Sequence, residues 1–199
     1  MATKLCDVCG ARPAVVYQPH TGRALCGECF ANDVAERVKR EVERWRMIEP
    51  SDNVMLALSG GKDGYTLLDV MARLLKTSRL VGLNIVEGIR GYNKEEDARR
   101  LVSAARELGI DVIVVRMRDF VGLTVDEMVA AARSRSTGIS ACTYCGISRR
   151  RIMNYYAREL GATKLATAHN LDDEAQTAII NMLRGDLQSL MRQHPLAEL

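Results

Sequence analysis

From residue 54 onward, short apolar runs alternate with longer amphipathic stretches. Val54 to Leu58 is continuously apolar and bounded by turn residues, the pattern of a strand buried on both faces. Comparable runs recur at 80–86, at 111–117, which is rich in β-branched residues, and at 164–168. Between them lie helical patterns. The first covers about 64–77. The second starts at Asn93, read as its cap, carries Glu95, Glu96 and Asp97 in its first turn and stops at Gly109. Thr124 and Glu127 form a capping box for a third that runs to about Arg133. A polar loop with Ser134, Ser136, Thr137 and Gly138 separates it from helices at about 147–160 and 172–184, closed by Gly161 and Gly185. Strand and helix alternating in this way predict an α/β fold, a parallel sheet with helices on both faces. In such sheets ligands sit beyond the carboxyl ends of the strands.

The first thirty or so residues follow another pattern. Cys6 and Cys9 form one Cys-x-x-Cys pair, and Cys26 and Cys29 form a second. That spacing predicts a four-cysteine zinc ribbon over 1–31, too small to bury a core without its metal. Val15 and Val16 with Ala24 and Leu25 make the short hairpin between the pairs, and Gly10, Gly22 and Gly27 the turns. A disulfide pair or an iron site are the alternatives, and His20 reads as a turn residue. Residues 32–48 read as a helix capped by Asn32 or Asp33, with Val34, Val38, Val42 and Trp45 on one face. The expected boundaries are a ribbon at 1–31, a connecting helix and turn-rich linker at 32–50, and the α/β domain at 51–199.

Composition narrows the chemistry. The 199 residues are 47% hydrophobic and 27% charged, as in a globular chain, and only 5% aromatic, which argues against a base-stacking platform. The net charge of +3 says little, but residues 116–151 hold Arg116, Arg118, Arg133, Arg135, Arg149, Arg150 and Arg151 against Asp119, Asp126 and Glu127. A basic surface of that kind suits a polyanion, and a plain solvated face is the equal alternative. No apolar run reaches the roughly 18 residues of a membrane span, and the start lacks a secretory apolar core, so a cytoplasmic chain is expected. Six cysteines in three Cys-x-x-Cys pairs then favour metal or redox chemistry over disulfides.

Three motifs fall where strands end. Ser59-Gly60-Gly61-Lys62-Asp63-Gly64 joins the first strand to a helix. Glycines let a phosphate approach the backbone, and the helix start offers free N–H groups. Asp63 replaces the Ser or Thr of a Walker loop, and the Rossmann spacing is absent. His169-Asn170-Leu171-Asp172-Asp173-Glu174 follows the fourth strand; its carboxylates could hold Mg²⁺ against phosphates or simply cap a helix. Cys142-Thr-Tyr-Cys145-Gly146 precedes Arg149, Arg150 and Arg151, and thiols at a helix start beside cations are expected to ionise easily.

Together these motifs resemble the tRNA-thiolating branch of the pyrophosphatase-loop (N-type ATP pyrophosphatase) superfamily, whose fold is the adenine nucleotide alpha hydrolase-like or HUP fold. The likeness rests on Ser-Gly-Gly-Lys-Asp, Cys-Thr-Tyr-Cys-Gly-x-x-Arg-Arg, His-Asn-Leu-Asp-Asp-Glu-Ala, Leu183-Arg184-Gly185-Asp186 and the amino-terminal ribbon. It implies that ATP adenylates the C2 carbonyl of a tRNA uridine, the wobble uridine by preference, and that sulfur then replaces the oxygen. A T-loop uridine is the sister target, and an ATP- or tRNA-binding fragment without catalysis is the other alternative. The resemblance assigns Ser59, Gly60, Gly61, Lys62, Asp63, Gly64, His169 and Asp172 to ATP, and Cys142, Cys145, Arg149 and Asp173 to the chemistry. It also implies zinc on Cys6, Cys9, Cys26 and Cys29, magnesium at Asp172 and Asp173, and a [4Fe–4S] cluster or persulfide chemistry at Cys142 and Cys145. Implied partners are tRNA, a ubiquitin-like sulfur carrier and a second copy in a homodimer. Three departures stand out: Gly64 where relatives have Ser, Ala168 where they have Gly, and no cysteine after Cys145. The resemblance therefore leads one to expect further sequence beyond Leu199, with a third cluster cysteine and a second zinc ribbon.

Overall fold

The structure, a computed structural model, describes residues 4–75, 79–134, 138, 140–191 and 193. Arg135, Ser136, Thr137, the end of the 64–77 helix and Leu199 lie outside the described residues. The chain forms two compact units, Met1–Met47 and Ile48–Leu199.

In the first unit, β1 (Val16–Gln18) and β2 (Arg23–Leu25) form an antiparallel hairpin, with Val16 opposite Leu25. Helix α1 (Gly27–Arg44) follows at once. It starts earlier than the periodicity at 32–48 predicts, because Cys26 caps it: the Sγ accepts the Cys29 N–H at 3.5 Å. Gly27 is thus the first helical residue, not a turn. Asp33, expected as a cap, instead accepts from Gln18 (2.9 Å) and Arg23 (2.7 Å) and ties α1 to the hairpin. Leu25 is fully buried beside Cys6 and Cys26, with Phe30 packed against them.

The second unit contains β3 (Asn53–Ala57), α2 (Lys62–Leu74), β4 (Arg79–Val86), α3 (Glu95–Glu107), β5 (Asp111–Arg116), α4 (Met117–Val121), α5 (Val125–Ser134), α6 (Ala141–Glu159), β6 (Lys164–Thr167), α7 (Leu171–Arg184) and α8 (Leu187–Met191). The sheet is wholly parallel in the order β5-β4-β3-β6. Alternation along β3 sends Val54 and Leu56 to one face and Met55 to the other. Val54 and Leu56 meet Leu68 and Met71 of α2 and Leu101 and Ala105 of α3. Met55 meets Met117, Val125, Met128 and Ile152 from α4, α5 and α6. Helices thus cover both faces, as the pattern predicts. Each fully buried Leu or Met of this kind contributes about 1.5–3 kcal/mol of transfer free energy.

Three boundaries moved for physical reasons. Met117 leaves the strand to open α4, where its side chain is fully buried. Asn93 is not the cap of α3, which is Lys94. Asn93 sits at φ 43° with its amide turned inward. Helix α6 begins at Ala141, with Ser140 Oγ accepting the Thr143 N–H at 3.2 Å, so both cysteines lie in its first turns. The Thr124–Glu127 capping box forms as read, with bonds of 2.8 and 3.2 Å. Helix α7 has no buried residue; Leu171, Ile179, Met182 and Leu183 are exposed.

Candidate nucleotide site and cysteine centre

The sheet order changes direction at β3. The chain steps from β3 outward to β4 and β5, then returns to lay β6 on the other side. Such a reversal opens a crevice at the carboxyl edge. Ala57 pairs with Thr167, so the glycine loop and the His169 loop leave the sheet side by side.

The glycine loop turns at Gly60, whose φ of +76° suits glycine. Gly61 is the N-cap of α2 and supplies no side chain, so no cap bond closes the first turn. Its N–H groups are left for an outside acceptor. Lys62 is highly exposed and lies 3.1 Å from Asp63. At Gly64 the approach is close: a Cβ there would sit 3.1 Å from Ser59 N and 3.4 Å from Ser59 Oγ, so a side chain needs a shift of a few tenths of an ångström. The first turn of α2 is therefore pressed against the loop, and Thr66, which could replace the missing hydroxyl, instead bonds back to the Lys62 carbonyl at 2.9 Å.

The neighbouring helix start is built oppositely. Asn170 Oδ1 accepts from the Asp172 and Asp173 N–H groups at 2.9 and 3.1 Å, and Asp173 Oδ2 accepts from Asn170 N at 2.9 Å. One oxygen of Asp173 is thus occupied as a cap. Asp172 and His169 are exposed, and His169 Nδ1 lies 3.2 Å from Thr167 Oγ1.

A pocket at the ends of β3 and β4 is lined by Ser59, Leu83, Ile85, Glu87, Arg149 and Met153. It joins two motifs far apart in the chain, the glycine loop and the α6 arginine. Glu87 was not singled out from the sequence. It is 2% exposed in its side chain and lies 3.7 Å from Arg149. Its position just past β4 is the one signal that could have found it.

Cys142 is exposed and Cys145 half-buried. The expectation of an easily ionised thiol fails at Cys145. Burial pushes its pKa up, the Glu87 carboxylate pushes the same way, and Arg149 only partly opposes them. Among the described residues no group of three or more His, Cys, Asp or Glu ligands forms around this pair. The pair offers two thiols, short of the three cysteines expected for the cluster. The basic face is also less free than its sequence suggests: Arg116 pairs with Glu95, Arg118 with Glu127 and Arg149 with Glu87.

In the first unit the Sγ atoms of Cys6, Cys9, Cys26 and Cys29 all lie within 4.8 Å of one another. Tetrahedral ligation with Zn–S bonds of about 2.3 Å needs sulfurs roughly 3.8 Å apart. The Cys9–Cys26 separation is 3.9 Å. The thiols share charge unevenly. Backbone N–H groups, that of Cys9 first, bring Cys6 down to about 6, while the Cys26 thiol beside it pushes Cys29 up to about 12. A bound cation would relieve that crowding. His20 is outside this group and lies 3.5 Å from Arg37.

Residues 31–196 match the PP-loop domain family, and residues 5–31 match the N-terminal LIM domain of the 2-thiouridine synthetase TtuA. The chain is 36% identical to the tRNA 2-thiolation protein NcsA of Haloferax volcanii, over 94% of this chain and 60% of the relative. It is 38% identical to the tRNA-5-methyluridine(54) 2-sulfurtransferase of Thermus thermophilus, over 96% of this chain and 57% of the relative. Among solved structures it is similar to the U34-tRNA thiolase NcsA of Methanococcus maripaludis with its [4Fe–4S] cluster. That match has a TM-score of 0.79 and 30% identity, covering all of this chain and 64% of that one. The chain therefore spans little more than half the length of the relatives it matches. It belongs to the PP-loop domain family, with a TtuA-type amino-terminal domain ahead of the PP-loop domain.

Proposed function

We propose that this chain is the ATP-binding and amino-terminal portion of a tRNA 2-thiouridine-forming sulfurtransferase. The reading is supported by the small pocket that Ser59 of the glycine loop and Arg149 of the cysteine helix both line. Activation and sulfur delivery would then share one crevice. In this reading the Gly60–Gly64 backbone and Lys62 hold the ATP phosphates, and Asp172, with the free oxygen of Asp173, bears the Mg²⁺. His169 contacts the nucleotide from the neighbouring loop. The uridine C2 oxygen attacks the α-phosphorus and pyrophosphate leaves; sulfur then adds at C2 and AMP leaves. Arg149 stabilises negative charge that builds on the phosphate. Cys142 and Cys145 stand beside the sulfur step as two thiols, while the sulfur itself comes from the donor's thiocarboxylate. Zinc on Cys6, Cys9, Cys26 and Cys29 holds the first unit together. A ubiquitin-like thiocarboxylate protein would be the sulfur donor, with the enzyme a cytoplasmic homodimer.

The favoured target is the wobble uridine, supported by the match to a U34-tRNA thiolase over the whole of this chain. The 38% identity to a position-54 enzyme supports the T-loop uridine as the second reading. Nucleoside mass spectrometry of tRNA after reaction with ATP and a sulfur donor decides: 2-thiouridine confined to the anticodon fragment supports the first reading. Thiolation of the T-loop fragment supports the second. No ATP-dependent 2-thiouridine at either place refutes both.

A further inference from the structure

We propose that Glu87 is a positioning residue that holds Arg149 at the mouth of the glycine loop, so that its guanidinium meets a bound phosphate. This rests on the reading of the loop as an ATP site. A carboxylate that is 2% exposed is costly to bury and needs strong partners. It has two. Asn93 Nδ2 donates to Oε2 at 2.6 Å, and Arg149 Nε lies 3.7 Å from Oε1. The backbone beneath is pinned. Val125 N donates to the Glu87 carbonyl at 3.0 Å, and a Cβ on Gly88 (φ +71°) would sit 2.5 Å from Thr124 Cγ2. The backbone that carries the carboxylate is therefore held in place, and Asn93 and Arg149 hold the carboxylate itself. Asn93 is fixed by the end of β4, since its Nδ2 also donates to the Ile85 carbonyl. The network thus runs from the Ile85 carbonyl at the end of β4 through Asn93 and Glu87 to α6.

Arg149 approaches Glu87 through Nε, and its guanidinium also faces the Cys145 thiol. It keeps 38% of its side chain exposed and lines the same pocket as Ser59. A guanidinium anchored beside a buried carboxylate and still partly exposed is suited to a phosphate oxyanion. Without Glu87 the long side chain would swing freely and lose the entropy advantage of being placed.

The carboxylate's own charge pulls in the opposite sense, since a phosphate is repelled by it. That gives the test a sign. ATP with Mg²⁺ is titrated calorimetrically into the wild-type chain and into Lys62→Ala, Glu87→Gln, Arg149→Ala and the Glu87→Gln/Arg149→Ala double variant. Glu87→Gln is expected to weaken binding about tenfold, and the double variant to bind no worse than Arg149→Ala. Tighter or unchanged binding in Glu87→Gln overturns the proposal. So does an effect of equal size in the Arg149→Ala background, which would mark a merely structural role. If Glu87→Gln does not fold, Glu87→Asp serves: it keeps the charge but draws the carboxylate back, and the same loss and non-additivity are expected. Failure of the wild type to bind ATP removes the nucleotide reading and this proposal together. Loss of binding in Lys62→Ala with none in the Glu87 variant removes this proposal alone.

Discussion

Helices α2 and α7 start side by side at the same edge of the sheet, after the paired strands β3 and β6, yet their first turns are built in opposite ways. Helix α2 is preceded by glycines, lacks a side-chain cap and carries an exposed lysine. Helix α7 closes its own first turn with the reciprocal Asn170–Asp173 bonds. Both have a positive dipole end facing the crevice. Only α2 leaves its N–H groups for a ligand. An adjacent pair of acids reads as a metal site in sequence, but here one of the two already has a structural task.

That contrast can be broken in order of effect. Lys62→Ala is expected to weaken Mg-ATP binding about 100-fold by removing a charge-assisted phosphate contact; calorimetry would show it, with the thermal midpoint almost unmoved because Lys62 is exposed. Asn170→Ala should do the reverse. Losing the cap costs about 1 kcal/mol of stability in urea unfolding, with ATP affinity changed less than threefold. If Asn170→Ala weakens ATP as much as Lys62→Ala does, the division between an open and a self-capped end is wrong. Asp173→Asn sharpens the point: a stability loss of about 0.5 kcal/mol marks the cap, while a loss of Mg²⁺-dependent ATP affinity marks the metal.

A third helix start extends the comparison to pH. The Glu127 carboxylate caps α5, and the Thr124 N–H, its hydroxyl and then Arg118 hold its pKa below the usual value. A lowered folded-state pKa stabilises the protein above the unfolded value near 4.3, and that stability is lost as pH falls through the folded value. Urea unfolding of wild type and Glu127→Gln should therefore differ at pH 6 and converge toward pH 3. A gap that stays constant with pH would remove the carboxylate from the cap.

Much of this was legible in the chain. Apolar runs such as Val54–Leu58 located the strands, because a strand buried on both faces must be apolar throughout. The glycine loop and the Thr124 box were legible because their bonds are local. What escaped depended on unusual caps or on distance. Helix α1 starts at Gly27 because a cysteine sulfur caps it, outside the usual set of capping residues. Asn93 reads as a cap by type, yet its amide serves a buried carboxylate. Glu87 and Arg149 are distant in sequence, and only the packing of α6 over β4 brings them together. The same burial raises the Cys145 pKa, against what its place near a helix start suggests.

The most direct test of the open helix end is amide hydrogen exchange with and without Mg-ATP, read on peptides spanning 59–66 and 169–175. Slower exchange is expected in the first span, where free N–H groups would close on phosphate, and little change in the second, where Asn170 already occupies them. Protection confined to the second span, or absent from both at saturating ATP, would contradict it.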